Sequence, residues 1–497
     1  MRYNMLSQQP GGLTDAQFAN DIVQSHRARN WFSTPWQTAN LKFEYNLSVR
    51  SRIQAQFFGM DAERHSVGNT AGILVADTIN KITGQYSARD LATDKYKNLG
   101  AEISFITHYV LMGKKQTLST GIRAFQGRTH RFQKGLGSTG TDANFTASMF
   151  PTALTFDTKN IAWFAEQVIR LSPRLIVIPG LRAEQIQSGV SGRTGINLVG
   201  EDIAVVATPQ ERRFLLGGIS AEYHLKNGFE IYANATQNYR PILFSDMQAA
   251  PGAEQIDPNL KDANGYNNDL GFRGRSGNWL YVDASVYVLQ YNNRIGRITR
   301  LDDQGKAIAV KTNVGNSTSQ GIEAVVDLDI VKKIRKNSRW GLPLFVSYAH
   351  NRSVYGDYII TTKNASGQYD AINLKGNSVE NAPENILRAG LGYQWSSQKN
   401  PHRKLITQIQ LSSVSASFSD ANNTVAASAN GTTGLIPAYR IWDWNTTFHV
   451  NKHVNIKLSV NNISNERYFT RRAGGYPGPG VMPSDGRSVL CSVGINL

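Results

Sequence analysis

A chain whose apolar residues recur at every second position, and whose connections alternate between short and long, has few folds open to it. The stretch from Ala438 to Leu497 carries both features. Trp442, Trp444, Phe448 and Val450 alternate with Asp443, Asn445 and His449, the period of a strand with one apolar and one polar face. Asn451 to His453 read as a turn, after which Val454, Ile456, Leu458 and Val460 alternate with Asn455, Lys457, Ser459 and Asn461. A long loop through Asn465, Arg471, Arg472 and the Gly/Pro cluster Gly474 to Gly480 leads to a last strand. There Val489, Cys491, Val493, Ile495 and Leu497 share one face, and Ser488, Ser492, Gly494 and Asn496 the other. Aliphatic residues outside, small polar ones inside and unequal connections describe a transmembrane antiparallel β-barrel. A soluble sandwich also alternates, but it has no reason to alternate its loop lengths.

Composition agrees with strands rather than helices as the spanning element. Hydrophobic residues make up 40% of the 497 and charged ones 18%, yet no run of about 18 apolar residues is present to make a membrane helix. A lumen-facing polar residue after each lipid-facing one leaves mean hydropathy at -0.35. The single cysteine, Cys491, falls on the apolar face and reads as a small hydrophobe. Net charge is +16, which raises an anionic partner. No Lys/Arg run or basic helix is present, and the charges gather in loops and at strand ends, so nucleic acid is excluded and an anionic ligand preferred.

Read in order, the first clean strand is Leu41 to Val49, followed by a turn at Arg50 and Ser51 and a strand from Arg52 to His65. Strands near 99–112 and 116–130 are joined by Gly113, Lys114 and Lys115. Short connections recur at Ser172 and Pro173, at Lys226 to Gly228, at Gly274 to Asn278 and at Asn451 to His453, with longer ones near 332–341 and 397–403. Long loops are expected near 131–158, 191–211, 240–264, 298–316, 356–383, 419–436 and 464–486. The count is about seventeen full strands, with Met1 to Gln8 as the end of another. Barrels plugged by a separate domain have about 22 strands. Residues 1–497 are therefore expected to form one incomplete barrel domain, lacking a plug and its first strands. Met1 to Pro10 does not read as a signal peptide.

No catalytic or cofactor motif survives its context. Gly135 to Gly140 matches a dinucleotide fingerprint by letter, but no helix follows. His449 and His453 straddle a turn, and Asp302, Asp303 and Gly305 lack the spacing of a calcium loop. No cofactor or metal is expected, and no enzymatic activity. The informative charges are arginines. Arg128, His130 and Arg131, with Lys134, cluster in Gly121 to Gly137 where a strand enters a long loop. Arg240 lies in NYRPILFSD ahead of IDPNLKD, and Arg471 and Arg472 lie in the last loop. Guanidinium forks suit bidentate capture of carboxylates.

These stretches carry a resemblance. Asn461 to Phe469 (NNISNERYF), the proline-glycine loop and Gly486-Arg487 resemble the C-terminal motif of TonB-dependent outer-membrane receptors. Arg27 to Trp36 (RARNWFSTPW), Asn238 to Met247, Ile256 to Gly274, Asn313 to Ala324 and Asn381 to Trp395 resemble the ferric citrate branch of that family. The resemblance implies a plugged 22-strand barrel in the bacterial outer membrane, surrounded by lipid and lipopolysaccharide and acting as a monomer. It also implies uptake of an iron chelate, such as anionic ferric citrate or another siderophore, energised by the TonB complex. The chain departs from the pattern in having no counterpart of the plug or TonB box, and in ending on Leu497 where such barrels end on an aromatic residue. A passive pore, a receptor for non-iron cargo and a soluble carbohydrate-binding protein remain open as alternatives.

Overall fold

The computed structural model describes residues 1–496 apart from 206–209, 248–253, 302–306, 364–365 and 475–478. Eighteen strands follow one another around a single antiparallel meander. They begin with β1 (Arg2–Gln8), β2 (Trp31–Asn46), β3 (Ser51–Gly68), β4 (Asp90–Leu111), β5 (Lys114–Leu136) and β6 (Thr152–Arg170). Next come β7 (Leu175–Ile196), β8 (Gln210–His224), β9 (Phe229–Arg240), β10 (Ala263–Ser276), β11 (Leu280–Leu301) and β12 (Ala307–Asp329). The last six are β13 (Pro343–Lys363), β14 (Asn385–Ser396), β15 (Lys404–Val414), β16 (Tyr439–His449), β17 (Val454–Asn461) and β18 (Ser488–Ile495). This is the expected count, seventeen strands and the partial one at Met1 to Gln8.

Register shows why alternation builds a two-faced wall. Phe43, Ala55, Ile103, Ile122, Trp163, Ala183 and Leu215 lie side by side across β2 to β8, an unbroken apolar rung. One residue along, the rung Lys42, Gln56, Glu102, Arg123, Ala162, Glu184 and Phe214 faces the other way, with Arg123 3.7 Å from Glu102. The apolar side is the exposed one: Phe43, Ile103, Ile122 and Leu215 are each more than half accessible. A face this large and apolar is stable only against lipid. On β4 the belt runs from Leu99 to Tyr109, about 33 Å along the strand at ~3.3 Å per residue. At a tilt of ~40° that is about 25 Å of height, the thickness such belts have.

Strands outrun the alternation that announced them, chiefly at the long-loop end. β2 starts at Trp31 rather than Leu41 and stops at Asn46, so Leu47 and Val49 lie in the turn. β5 continues to Leu136, and β11 and β12 run as a ribbon through most of the expected 298–316 loop. Beyond the lipid both faces meet water, so the hydrogen-bonded ladder persists while the apolar period that marks it disappears. At the other end, the Gly274–Asn278 turn is corrected to 277–279, Gly274 still pairing with Phe229. Between β4 and β5 the turn is Met112 and Gly113, with φ of 51° and 72°. Two left-handed residues make the tight turn that matches strand twist. Asp302, Asp303, Gly305 and Leu497 lie outside the described residues.

No ladder joins β1 to β18 among the described residues; loop contacts tie the two ends instead. Leu13 and Val481 exchange backbone hydrogen bonds of 2.9 and 2.7 Å, and Phe18 meets Phe469 edge-on at 5.2 Å. Ile436 joins Phe469 and Val481 in a small buried cluster.

Candidate functional site

Strand parity sorts the candidate arginines. On β5, Ile122 and Ala124 face outward, so the even positions Arg128 and His130 do too. Arg128 Nε donates to Asp157 Oδ1 at 2.7 Å on that outer wall, and His130 Nδ1 lies 3.0 Å from Thr155 Oγ1. Expected at the barrel mouth, these two side chains instead point away from the lumen, because a side-chain period of 2 fixes their face. Arg131 is odd and faces inward. Its Nε donates to Asp94 Oδ1 at 3.0 Å. Asp94, 2% exposed, also accepts from Arg64 and from the Tyr96 hydroxyl at 3.0 Å. Two guanidinium groups on one carboxylate leave the cluster cationic, and nearly half of the Arg64 side chain is open to the lumen.

The last loop divides in the same way. Arg471 is exposed and makes no ion pair among the described residues. Arg472, also a candidate, is committed to protein partners. Its Nη1 and Nη2 donate to the two oxygens of Asp15 at 2.7 Å each, and its remaining donors reach the carbonyls of Leu435 and Gly431. With every N–H used and a side chain only 3% exposed, it is a tie between loops.

Arg240 sits where β9 ends and meets partners that the sequence separates widely. Its Nη2 donates to Asp246 Oδ2 at 2.9 Å, and the same oxygen accepts from the Leu243 backbone at 2.9 Å. Asp262 accepts from the Ile242 backbone at 2.7 Å, from Arg212 Nε at 2.8 Å, and from the Tyr239 hydroxyl. Arg212 Nη1 donates to Ser188 Oγ at 2.9 Å. Two carboxylates thus hold the turn at 240–243 and two arginines against it. The accounting does not close. Arg212 is 8% exposed, and its buried Nη2, like the buried Nη1 of Arg240, has no acceptor among the described residues. Buried guanidinium N–H groups without acceptors are costly.

A third inward cluster lies on β11 to β13. Arg294 donates to Ser317 Oγ at 3.0 Å, lies 3.7 Å from Glu380, and has Tyr291 and Tyr355 rings 5.3 and 5.2 Å away. All three clusters lie at the ends of strands that enter long loops, so they share one end of the lumen. Arg64, Arg212 and Arg294 escaped the sequence reading. Parity offered a signal for Arg212, which stands one residue from Arg213 and three from the outward Leu215.

Three further arginines, in the loops, are structural. Arg27 donates to the carbonyls of His26, Ala71 and Gly72, and Arg29 pairs with Asp77 through two hydrogen bonds of 2.9 and 2.6 Å. Arg89, fully buried, reaches Arg29, Ser138 and Asp142. Burial pulls the Arg27 and Arg89 pKa values down from the usual arginine range. Burial opposes charge on Asp77, but hydrogen bonds from Arg29 and Asn69 outweigh it and hold the carboxyl below its ordinary value.

A model of the family described as TonB dependent receptor-like, beta-barrel, matches residues 2–463. Among solved structures, the unliganded ferric citrate transporter FecA aligns with a TM-score of 0.75 at 19% identity, covering 99% of this chain and 66% of that one. The siderophore receptor PiuA from Acinetobacter baumannii aligns at 0.69 and 14%, covering 94% and 65%. The pyoverdine outer membrane receptor FpvA from Pseudomonas aeruginosa, bound to pyoverdine, aligns at 0.69 and 12%, covering 98% and 66%. This chain spans just under two thirds of the length of these neighbours, and at such identities the likeness establishes the fold.

Proposed function

The chain belongs to the TonB-dependent receptor-like β-barrel family of the bacterial outer membrane, and from that premise we propose that it forms the lumen and mouth of a receptor for an anionic metal chelate. The cargo is an iron complex with carboxylate ligands, of the ferric citrate type. The single observation that carries the reading is the pair of buried guanidinium N–H groups on Arg212 and Arg240 left without acceptors. Citrate-type ligands present outward carboxylate oxygens, and the planar fork of arginine meets these better than a lysine point charge does. Arg64 and Arg131 add positive charge at the same end of the lumen, with Arg471 as an exposed cation on the last loop. The role is binding and passage rather than catalysis. In the whole receptor, working as a monomer, uptake is energised by contact with the TonB complex.

The test is equilibrium binding of ferric citrate and of a neutral ferric hydroxamate to the full-length receptor in detergent. Ferric citrate is expected to bind at micromolar concentration and the neutral chelate far more weakly. Arg212→Gln and Arg240→Gln each remove charge-assisted hydrogen bonds, and are expected to weaken citrate binding about ten- to a hundred-fold. Equal binding of both chelates, or unchanged affinity in both variants, overturns the reading.

A further inference from the structure

The lumen also carries chemistry at its short-turn end, opposite the arginine clusters. There β8 and β9 are joined by the tight turn at Leu225 to Gly228, in which Asn227 and Gly228 have φ of 66° and 80°. Ile219 and Tyr223 are exposed on the outer wall, so Glu222 and His224, two residues apart on β8, both face inward. Across the turn Glu230 is the register partner of His224 and shares that face. One nitrogen of the imidazole and one oxygen of each carboxylate lie within 4.8 Å of one another. The hairpin makes this convergence: it sets a residue, its neighbour two positions along and its cross-strand partner on one side of the sheet.

The contacts already made there sort the donor atoms. Arg273, on β10 and in register with Glu230, donates through Nε to Glu230 Oε1 and through Nη2 to Glu222 Oε1 at 3.3 Å. The guanidinium is itself held. It lies 4.8 Å from the centre of the Tyr232 ring, and the Tyr232 hydroxyl donates to Asp283 Oδ1 at 3.1 Å. Gly271, opposite Tyr232, leaves room for that ring: a Cβ there would stand 2.2 Å from Tyr232 Cζ. Arg273 thus engages one oxygen of each carboxylate and leaves the other. Oε2 of Glu230 is 2.9 Å from His224 Nδ1, and Oε2 of Glu222 has no hydrogen-bond partner among the described residues. A group that orients the ligands from behind, while their remaining donor atoms converge, is the arrangement found around protein-bound metal ions. The Glu222, His224 and Glu230 side chains are 26%, 38% and 18% exposed, so a hydrated ion in the lumen can reach them.

We propose that Glu222, His224 and Glu230 bind one divalent transition-metal ion of the zinc type, with water completing its coordination shell. The imidazole decides the class of ion: Mg²⁺ and Ca²⁺ prefer oxygen ligands throughout, whereas Zn²⁺ takes histidine nitrogen and carboxylate oxygen together. Two carboxylates against one guanidinium leave the cluster negative, which favours a cation. The site shares no residue with the clusters at the long-loop end, so it is independent of the chelate received there.

The test titrates Zn²⁺ by isothermal calorimetry into the full chain in detergent, stripped of metal beforehand with a chelator. One ion per chain is expected to bind at micromolar concentration, and Ca²⁺ in roughly a hundred-fold excess is expected not to compete. Glu222→Gln and His224→Ala are each expected to weaken binding about ten- to a hundred-fold. His402→Ala, which removes an exposed histidine from another short turn, should leave binding unchanged. Cu²⁺ loaded in place of Zn²⁺ should show coupling to a single imidazole nitrogen in its electron paramagnetic resonance spectrum, lost in His224→Ala. Heat-modifiable migration on gels verifies that each variant is folded. The absence of saturable binding overturns the proposal and makes the cluster an ion-pair network built around Arg273. So does equal affinity in wild type and both ligand variants, or competition by Ca²⁺ on equal terms.

Discussion

Replacing Arg472 by alanine is expected to release the loops that tie the two ends of the meander while leaving the barrel itself folded. The side chain is 3% exposed and forms a bidentate pair with Asp15, whose own side chain is 38% exposed. Breaking a fully buried pair costs about 3–5 kcal/mol because the partner charge is stranded. Asp15 can rehydrate, which places the pair at or below the lower end of that range. The carbonyls of Leu435 and Gly431 lose their donors as well, at about 1 kcal/mol each where water can replace them. With the pair discounted to about 1 kcal/mol for the solvent around Asp15, a net loss of about 3 kcal/mol in local stability corresponds to hydrogen exchange on the order of 100-fold faster. The amides to watch are Leu13 and Val481, whose reciprocal hydrogen bonds hold the junction. Exchange in peptides covering 11–20 and 479–483 should accelerate together, with β4 and β5 unchanged. Asp15→Asn should give a smaller effect, since the amide still accepts from one guanidinium N–H. Unaltered exchange at Leu13 and Val481 in Arg472→Ala refutes the argument that this arginine is a tie rather than a ligand contact.

Ile103 lies near the middle of the lipid belt on β4, so Ile103→Arg is expected to cost about 2–4 kcal/mol, while Lys97→Arg at the belt's edge costs little; denaturant titration of folding into liposomes measures both. At Gly321 an added Cβ would lie 2.0 Å from the His350 carbonyl oxygen, so Gly321→Ala should break the β12–β13 register and lower heat resistance, and a variant as resistant as wild type counts against that register. The Asp77 carboxyl is held below its ordinary value in the folded loops, so its contribution is complete above the unfolded value, about 3.9, and is lost as pH falls through the folded one. Proteolysis of segment 69–89 should therefore quicken on acidification below about pH 4, and Asp77→Asn should remove that dependence.

Much of the barrel was legible because lipid enforces a strict period. The C-terminal hairpin, with Trp442 and Trp444 outward and the turn at Asn451 to His453, is found where alternation puts it. Legibility ends where water replaces lipid. Trp31 to Asn40 has no clean alternation, yet it pairs with β1 and β3 along its length. The ligand candidates suffered for a related reason. Proximity in sequence grouped Arg128, His130 and Arg131, whereas pairing with Ile122 as the reference separates them by face. The second group was read as two segments, and the fold joins them: NYRPILFSD supplies Arg240 and Asp246, and IDPNLKD supplies Asp262. Arg212 completes that set from a different strand, and only the ladder brings it there.

In the proposed reading, what separates a ligand-binding arginine from a structural one is how many of its N–H groups the protein already satisfies. Arg472 donates to three partners, Arg27 to three carbonyls, and Arg89 to side chains and carbonyls on every side. Each lies in a connecting segment where buried backbone oxygens need donors, and guanidinium supplies several from one residue. Arg212 and Arg240 differ in being positioned by carboxylates that leave part of each fork unused. Asp262 and Asp246 also accept from the backbone of Ile242 and Leu243, so the protein itself ties down the supporting turn that the proposed site would use. That arrangement lowers the ordering cost of binding and keeps the arginines from collapsing onto their neighbours. Asp262→Asn is then expected to weaken ferric citrate binding although it removes a negative charge from the site. Tighter binding in that variant would mean that net charge, rather than the held geometry of the two forks, governs recognition.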